Sequence, residues 1–259
     1  MNLFLLTQPD AFYIPKLLDR FMNEKPEEAQ VVGASVLKGE IAASNVTDYV
    51  KLLGVRGTLI NGFEFARYKF LDLVGRVADL EGLYSVRGAL SQHQIPEHTP
   101  ENINDSAFLD ELQKRNVDLV ISIACPQIVR KELLKLPRHG VINIHGALLP
   151  KYRGKLPSFW VLANGEKRTG VTVHYMNKEI DDGPIIVQKE VPIEPEDTLH
   201  SLVLKSKVGY GASALAEAVR RIMEGHVETL PNNEQEATYF SFPTDEAIDR
   251  FRAQGRKIR

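Results

Sequence analysis

Short, nearly uninterrupted apolar segments recur along the chain, separated by longer stretches whose apolar residues fall at helical spacing. The short ones cover 3–6, 31–37, 118–124 and 141–145, and their lack of polar alternation is what strands buried on both faces require. Between the last two lies a helical stretch over 127–134 and a turn at 137–140, which together complete a βαβ unit. Helices are also expected over 14–21, over 106–114 and over most of 46–90, where glycines 54, 57, 62, 75, 82 and 88 mark turns. The second strand is expected to close near Gly39, and 91–104 reads as a loop from its prolines and asparagines. Two more strands, 171–175 and 184–187, flank a turn at Asp181-Asp182-Gly183. A long helix follows over 197–225: Leu199, Leu202, Ala212, Leu215, Val219 and Ile222 share one face, and Gly225 suits its C-terminal cap. From His226 onward the pattern thins to one strand over 237–242 and one short helix. The alternation predicts an α/β fold: a Rossmann-like, mostly parallel sheet with helices on both faces over 1–225, plus a short C-terminal tail over 226–259.

Composition narrows the setting. The chain has 259 residues, 43% hydrophobic and 25% charged, which excludes disorder and fibrous architectures. Its 32 basic and 34 acidic residues give a net charge of -2, so the positive field of a nucleic-acid binder is missing and no nucleic-acid partner is expected. A single cysteine, Cys125, excludes an internal disulfide and any multi-thiolate metal site. His93 and His98 sit in a proline-bounded loop without a third ligand beside them, so no metal is expected. No apolar run reaches the roughly 18 residues of a membrane span, and the first residues lack the basic leader of a signal peptide. A cytoplasmic protein with no membrane partner is the expectation.

Gly209-Tyr-Gly211-Ala-Ser-Ala214 formally matches a dinucleotide fingerprint, but it falls mid-helix with no strand before it. After the first strand, Thr7-Gln-Pro-Asp-Ala-Phe offers no glycine to cradle a phosphate, so neither an NAD site nor a Walker-type site is expected. The informative stretch is Asn143-Ile-His145-Gly-Ala-Leu-Leu-Pro150-Lys-Tyr152-Arg153-Gly154, followed by Asp181-Asp-Gly-Pro. Residues i and i+2 of a strand point to one side, so Asn143 and His145 emerge together at the carboxyl edge of the sheet, where open α/β sheets hold their ligands. With Asp181 arriving from a loop, these are parts for acyl transfer to an amine. Asn143 can hydrogen-bond an oxyanion, His145 can carry a proton and Asp181 can orient the ring. The same residues also suit a plainer reading, in which Asn and His are structural hydrogen-bonders at a strand end and Asp-Asp-Gly is a simple turn.

Three blocks in order decide between the readings: 141–154, Thr169-Gly-Val-Thr-Val-His174 and Ile180-Asp-Asp-Gly-Pro. Together they resemble the folate-dependent formyltransferases, strongly from about 118 to 225 and weakly before it. The resemblance implies the formyltransferase fold, N10-formyltetrahydrofolate as formyl donor without a metal, and a catalytic set of Asn143, His145 and Asp181. It implies that amine attack forms a tetrahedral oxyanion held by Asn143 and protonated His145, with Asp181 holding the ring. The pterin is expected beside Ala124, Cys125, Pro126, Gln127 and Ile128 and near the Asp181 loop with Asp182. Asp182 stands where the family commonly has threonine, and Gly146-Ala147 where many members have a serine, two departures from the pattern. Cys125, Trp160 and His174 read as packing or structural residues.

Lys151, Tyr152 and Arg153, with Lys155, form either a solvated loop or a rim for an acceptor phosphate or the folate tail. Residues 226–259 are too short for the β-barrel that carries nucleic acid in transfer-RNA formyltransferases, and the first turn lacks the glycines of glycinamide ribonucleotide enzymes. A small-molecule amine, a nucleotide-linked amino sugar, is therefore the expected acceptor. Formyltetrahydrofolate hydrolysis, a transfer-RNA-type enzyme lacking the barrel, and a non-catalytic folate-binding domain are the alternatives. Tyr239, Phe240 and Phe242 form an aromatic edge strand that can pair across a two-fold axis, which makes a homodimer a candidate assembly.

Overall fold

The computed structural model describes residues 1–38, 43–78, 83–225 and 227–259. β1 (Asn2–Thr7) leads through α1 (Ile14–Glu24) to β2 (Gln30–Val36), and the long α2 (Ala43–Ala78) and α3 (Val86–Gln92) carry the chain to β3 (Glu97–His98). Next come α4 (Ser106–Lys114), β4 (Leu119–Ile123), α5 (Lys131–Lys135), β5 (Val141–His145), β6 (Arg153–Gly154) and α6 (Pro157–Ala163). The hairpin β7 (Arg168–Tyr175) and β8 (Ile185–Pro192) is followed by α7 (Leu199–Val203), a π-helical stretch (Leu204–Gly211) and α8 (Ala212–Met223). The tail adds β9 (Tyr239–Phe240) and α9 (Asp245–Ala253).

Seven strands form one sheet in the order β3-β2-β1-β4-β5-β7-β8. β1, β2, β3, β4 and β5 are parallel to one another, while β7 runs antiparallel to both β5 and β8. The sheet is thus mostly parallel, as its apolar strands required. Alternation along β1 divides its side chains between two cores: Leu3 and Leu5 pack with α1, α3 and α8, and Phe4 and Leu6 with α4 and α5. All four are fully buried, which is worth about 1.5–3 kcal/mol for each such side chain. A third cluster, away from the sheet centre, joins Phe159 and Trp160 of α6 to Leu202 and to Ile248 and Phe251 of α9.

Three local expectations are corrected. The segment 91–104 is not all loop, because Glu97 and His98 pair with Ala34 and Ser35 at the sheet edge. Between 43 and 78 only Gly54, at φ 67°, breaks the helix, and Gly57 and Gly62 continue it because flanking apolar residues keep helical spacing. The long C-terminal helix opens into a π turn at Leu204–Gly211, where Gly211 lies so close to the sheet that a Cβ would come within 2.9 Å of Ile144. Gly225 has the expected positive φ, 74°. Gly39, Gly82 and His226, named above as marks of a strand end, a turn and the start of the tail, lie outside the described residues.

The tail is integrated rather than appended. β9 pairs in parallel with β6, and the backbone N–H groups of Leu199 and His200 donate to the carbonyls of Lys257 and Ile258. The aromatic strand expected to pair across a two-fold axis thus has one edge engaged within its own chain. Trp160 is core, as expected: its ring stacks on Phe240 at 4.5 Å and its Nε1–H donates to the Ser241 carbonyl.

Candidate active site

On β5, Ile142 and Ile144 face the core while Asn143 and His145 face the opposite side. Pairing of Ser122 with Asn143 sets the turn after β4, with Ala124, Cys125, Pro126, Gln127 and Ile128, beside the same edge. The antiparallel register with β7 places His174 directly across from Asn143, and Thr172 across from His145. Thr172 is buried and shapes the loop after β5, donating to the Ala147 carbonyl and accepting from the Leu149 N–H.

Asp181 arrives from the β7–β8 connection. It has φ 51°, a left-handed conformation that aspartate tolerates better than most residues. The loop can close because Gly183 has no side chain: a Cβ there would lie 1.8 Å from the Tyr175 carbonyl oxygen. Asn232 of the tail fastens it, donating from Nδ2 to the carbonyls of Asp181 at 2.9 Å and Gly183 at 3.0 Å.

The Asp181 carboxylate connects the group. Its Oδ2 accepts from the Gly154 N–H at 2.9 Å and lies 3.3 Å from His145 Nδ1. Its Oδ1 lies 3.4 Å from Asn143 Nδ2 and 3.5 Å from His174 Nε2, which in turn is 3.2 Å from Asn143 Nδ2. Two carbonyls define the tautomers. His145 Nε2 is 2.8 Å from the Tyr152 carbonyl, and His174 Nδ1 is 2.8 Å from the Tyr175 carbonyl, so each of those nitrogens carries its hydrogen. The remaining ring nitrogens, His145 Nδ1 and His174 Nε2, both look toward Asp181.

Burial pushes the His145 imidazole below its ordinary range, against the pull of Asp181. Burial also acts to raise the Asp181 carboxyl, but the His145 and His174 rings and the Gly154 N–H outweigh it and hold it well below the usual carboxylate range. With Nε2 fixed on the Tyr152 carbonyl, Nδ1 is the ring atom placed to share a proton with the Asp181 carboxylate. Lys207, on the π turn, brings its Cε near Gly146, and burial lowers its ammonium pKa.

The other expected site residues separate. Asp182 turns away from the imidazoles and pairs with Arg153 at 2.7 Å, so the question of which aspartate faces the histidine is answered by geometry. Arg153 does not stand out as a solvated rim: its side chain is buried and also pairs with Glu234 at 2.6 Å. Tyr152 is buried as well, stacked on Phe240 and donating its hydroxyl to Glu166 at 2.6 Å. Lys151 and Lys155 are exposed. Two acidic partners, Asp182 and Glu234, account for this inward turn of a cation that its sequence neighbours would have kept in water. Beside the Asp181 loop is a cavity of about 550 Å³ bordered by Arg153, Glu179, Ile180, Asp182, Glu234 and Tyr239.

In the β4 turn, Ala124 has φ 55°, Ile128 is 76% exposed and the Gln127 side chain ties the turn to Glu101 and Ile103. Burial pushes the Cys125 thiol up to about 11, which leaves it protonated and unreactive. His93 pairs with Asp19, His98 lies near Glu111, and no metal-sized cluster of His, Cys, Asp and Glu occurs among the described residues.

A mostly parallel α/β sheet that gathers an amide, two imidazoles and a carboxylate at its carboxyl edge places the protein in the class of Rossmann-like enzymes. Residues 76–218 match the profile of the family described as Formyl transferase, and the chain belongs to that family. It is 39% identical over 175 residues to the methionyl-tRNA formyltransferase of Halalkalibacterium halodurans, covering 67% of this chain and 55% of that one. The chain therefore spans about half the length of the curated relatives it matches. The fold is shared with the phosphoribosylglycinamide formyltransferase of Anaplasma phagocytophilum, at TM-score 0.60 and 18% identity over 94% of this chain and 99% of that one. It is also shared with the N-formyltransferase of Helicobacter canadensis, solved with folinic acid and dTDP-3-aminofucose, at TM-score 0.59 and 18% identity over 98% and 81% of the two chains.

Proposed function

We propose that the protein transfers a formyl group from N10-formyltetrahydrofolate to a primary amine, with Asn143, His145 and Asp181 as the catalytic set. The observation that carries this reading is the Asp181 carboxylate, which reaches the His145 ring and the Asn143 amide at once. The donor fits the residues present: the apolar side chains of Ile128 and Ile180, 76% and 55% exposed, stand on the two loops that a planar ring would meet. When bound, the reduced folate supplies the formyl carbon. The amine must attack as a free base, and the proton it loses passes to the Asp181–His145 pair, where Nδ1 takes it and the carboxylate stabilises the imidazolium. Asn143 holds its Nδ2 hydrogens in two long contacts, at 3.2 and 3.4 Å, and exchanges one for a charge-assisted bond to the developing oxyanion. The imidazolium returns its proton to the leaving nitrogen.

A small acceptor is favoured over a polymer. The net charge of -2 gives no overall positive field to draw a polyanionic acceptor. Among small amines we favour a nucleotide-linked amino sugar. The test is mass spectrometry of formyl gain across free and nucleotide-linked amino sugars, charged methionyl-tRNA and a water-only control, each with the formyl donor. Formylation of an amino sugar, abolished by His145→Ala and lowered about 10²–10³-fold by Asn143→Ala, is the expected result. Amine-independent release of tetrahydrofolate would assign a hydrolase instead, formylated tRNA would overturn the acceptor, and full activity in His145→Ala would overturn the site.

A further inference from the structure

The outer side of helix α2 is apolar where a helix of a water-soluble body is ordinarily polar. After its kink at Gly54, Thr58, Asn61, Glu64, Tyr68 and Asp72 are half-buried against the protein. Asn61 Oδ1 accepts from Arg259 Nε at 3.0 Å, the Tyr68 ring packs edge-on to Phe12 and Tyr84, and Asp72 accepts from Ser85 Oγ. The outer side carries Val55, Leu59, Phe63, Phe70 and Leu73, each between 62% and 78% exposed, with Ile60 and Phe65 at 40% and 47%. With the aromatic rings each offering 150–250 Å², the patch amounts to something on the order of 700 Å², above the few hundred that a monomer ordinarily leaves to water.

Pattern and charge say what covers it. At about 100° per residue, Val55, Leu73, Leu59, Phe70 and Phe63 lie within an arc of about 80°, with the exposed Arg67 and Lys69 to either side of it. An apolar stripe flanked by cations suits a helix lying in a lipid headgroup layer. The same helix is locally basic in sequence: Lys51, Arg56, Arg67, Lys69 and Arg76 occur against Asp48, Glu64 and Asp72, in a chain whose net charge is -2. Alongside runs a second basic stretch, Arg250, Arg252, Arg256, Lys257 and Arg259, with no acidic residue among 250–259. It is fastened to the helix, since Arg252 Nη2 donates to the Lys51 carbonyl at 3.0 Å and Arg259 to Asn61. Asp245, Asp249 and Glu64 offset part of this charge through Lys51, Arg252 and Arg67. Self-association would set cation against cation, whereas an anionic surface meets them with the opposite sign.

We propose that α2 and residues 250–259 together form a docking face for an anionic lipid bilayer. The helix lies in the plane of the headgroups with its apolar arc in the acyl boundary, and the lysine and arginine stems reach up to the phosphates. Among the described residues no helix is long and apolar enough to cross a membrane, which agrees with a helix that lies on the surface. The expectation of no membrane partner rested on the lack of a spanning run and did not reach a helix of this kind. An apolar helix beside a polybasic stretch supplies the two signals that stable surface binding needs.

Flotation of the full chain with vesicles of phosphatidylcholine alone, and of phosphatidylcholine mixed with phosphatidylglycerol, tests the proposal. The chain should float with the mixed vesicles, not with the neutral ones, and high salt should release it. Each surface cation contributes about fivefold, so Arg250→Gln, Arg252→Gln and Lys257→Gln combined should weaken binding more than tenfold. Phe63→Ser with Phe70→Ser should abolish it while leaving formyl transfer and the melting temperature unchanged, since both rings face solvent. Failure to float with anionic vesicles, or binding indifferent to the phenylalanine variant, overturns the proposal. So does sedimentation as a dimer that the same variant converts to monomer without any vesicle binding, because the face would then belong to a second copy.

Discussion

Asp181 couples two imidazoles, so its ionisation and that of His145 set the acid side of the reaction. His145 is held below its ordinary range by burial, and the pair must be unprotonated to accept the amine proton. At saturating acceptor, kcat should therefore persist through the ordinary imidazole value of about 6.5 and fall only below it. The ratio kcat/KM also carries protonation of the free amine, so as pH is lowered it should begin to fall before kcat does. A kcat limb at or above 6.5 would mean that the ring is not held down. Both groups bind fewer protons folded than unfolded, so stability is full above the ordinary values and is lost as pH falls through them. His174, read from sequence as structural, contacts both Asn143 and Asp181, and we propose that it positions them. His174→Ala should lower kcat roughly ten- to a hundredfold with little change in KM, and His174→Gln, whose amide can still accept from Asn143, should restore part of it. The spacing of Asn143 and His145 was legible because period two alone places them on one face. His174 was hidden because its role depends on the antiparallel register of β5 with β7, which no local pattern encodes.

At the scale of elements, the apolar strands declared themselves because burial on both faces leaves few polar positions in them. The two-residue strands β3 and β6 did not, since a pair of residues has no period and each exists through its partner, whereas β9 lies inside the strand expected over 237–242. The π turn was equally unreadable: Gly209 and Gly211 looked like a stray nucleotide motif, and the need for one of them is contact with Ile144. Gly183 makes the strictest demand, since the β7–β8 loop closes only if nothing stands between it and the Tyr175 carbonyl. Gly183→Ala should cost about 1–3 kcal/mol in denaturant unfolding. Because it displaces Asp181 as well, it should also reduce kcat about a hundredfold.

At the scale of the molecule, the tail supplies part of the core and part of the site. Phe251 stacks on Phe159 at 5.1 Å and is 2% exposed, so Phe251→Ala should destabilise the whole chain by about 3–5 kcal/mol, read as a lower denaturant midpoint at unchanged slope. Ala247, Ile248 and Phe251, on the short helix expected in the tail, complete the cluster around α6, so this packing crosses residue 225. The pairing of β6 with β9 has a temporal meaning. Gly154, whose N–H holds the Asp181 carboxylate, is itself held by residues that leave the ribosome long after Asp181 has done so. A chain still being synthesised therefore carries every group of the proposed site before the strand that pairs with β6 exists.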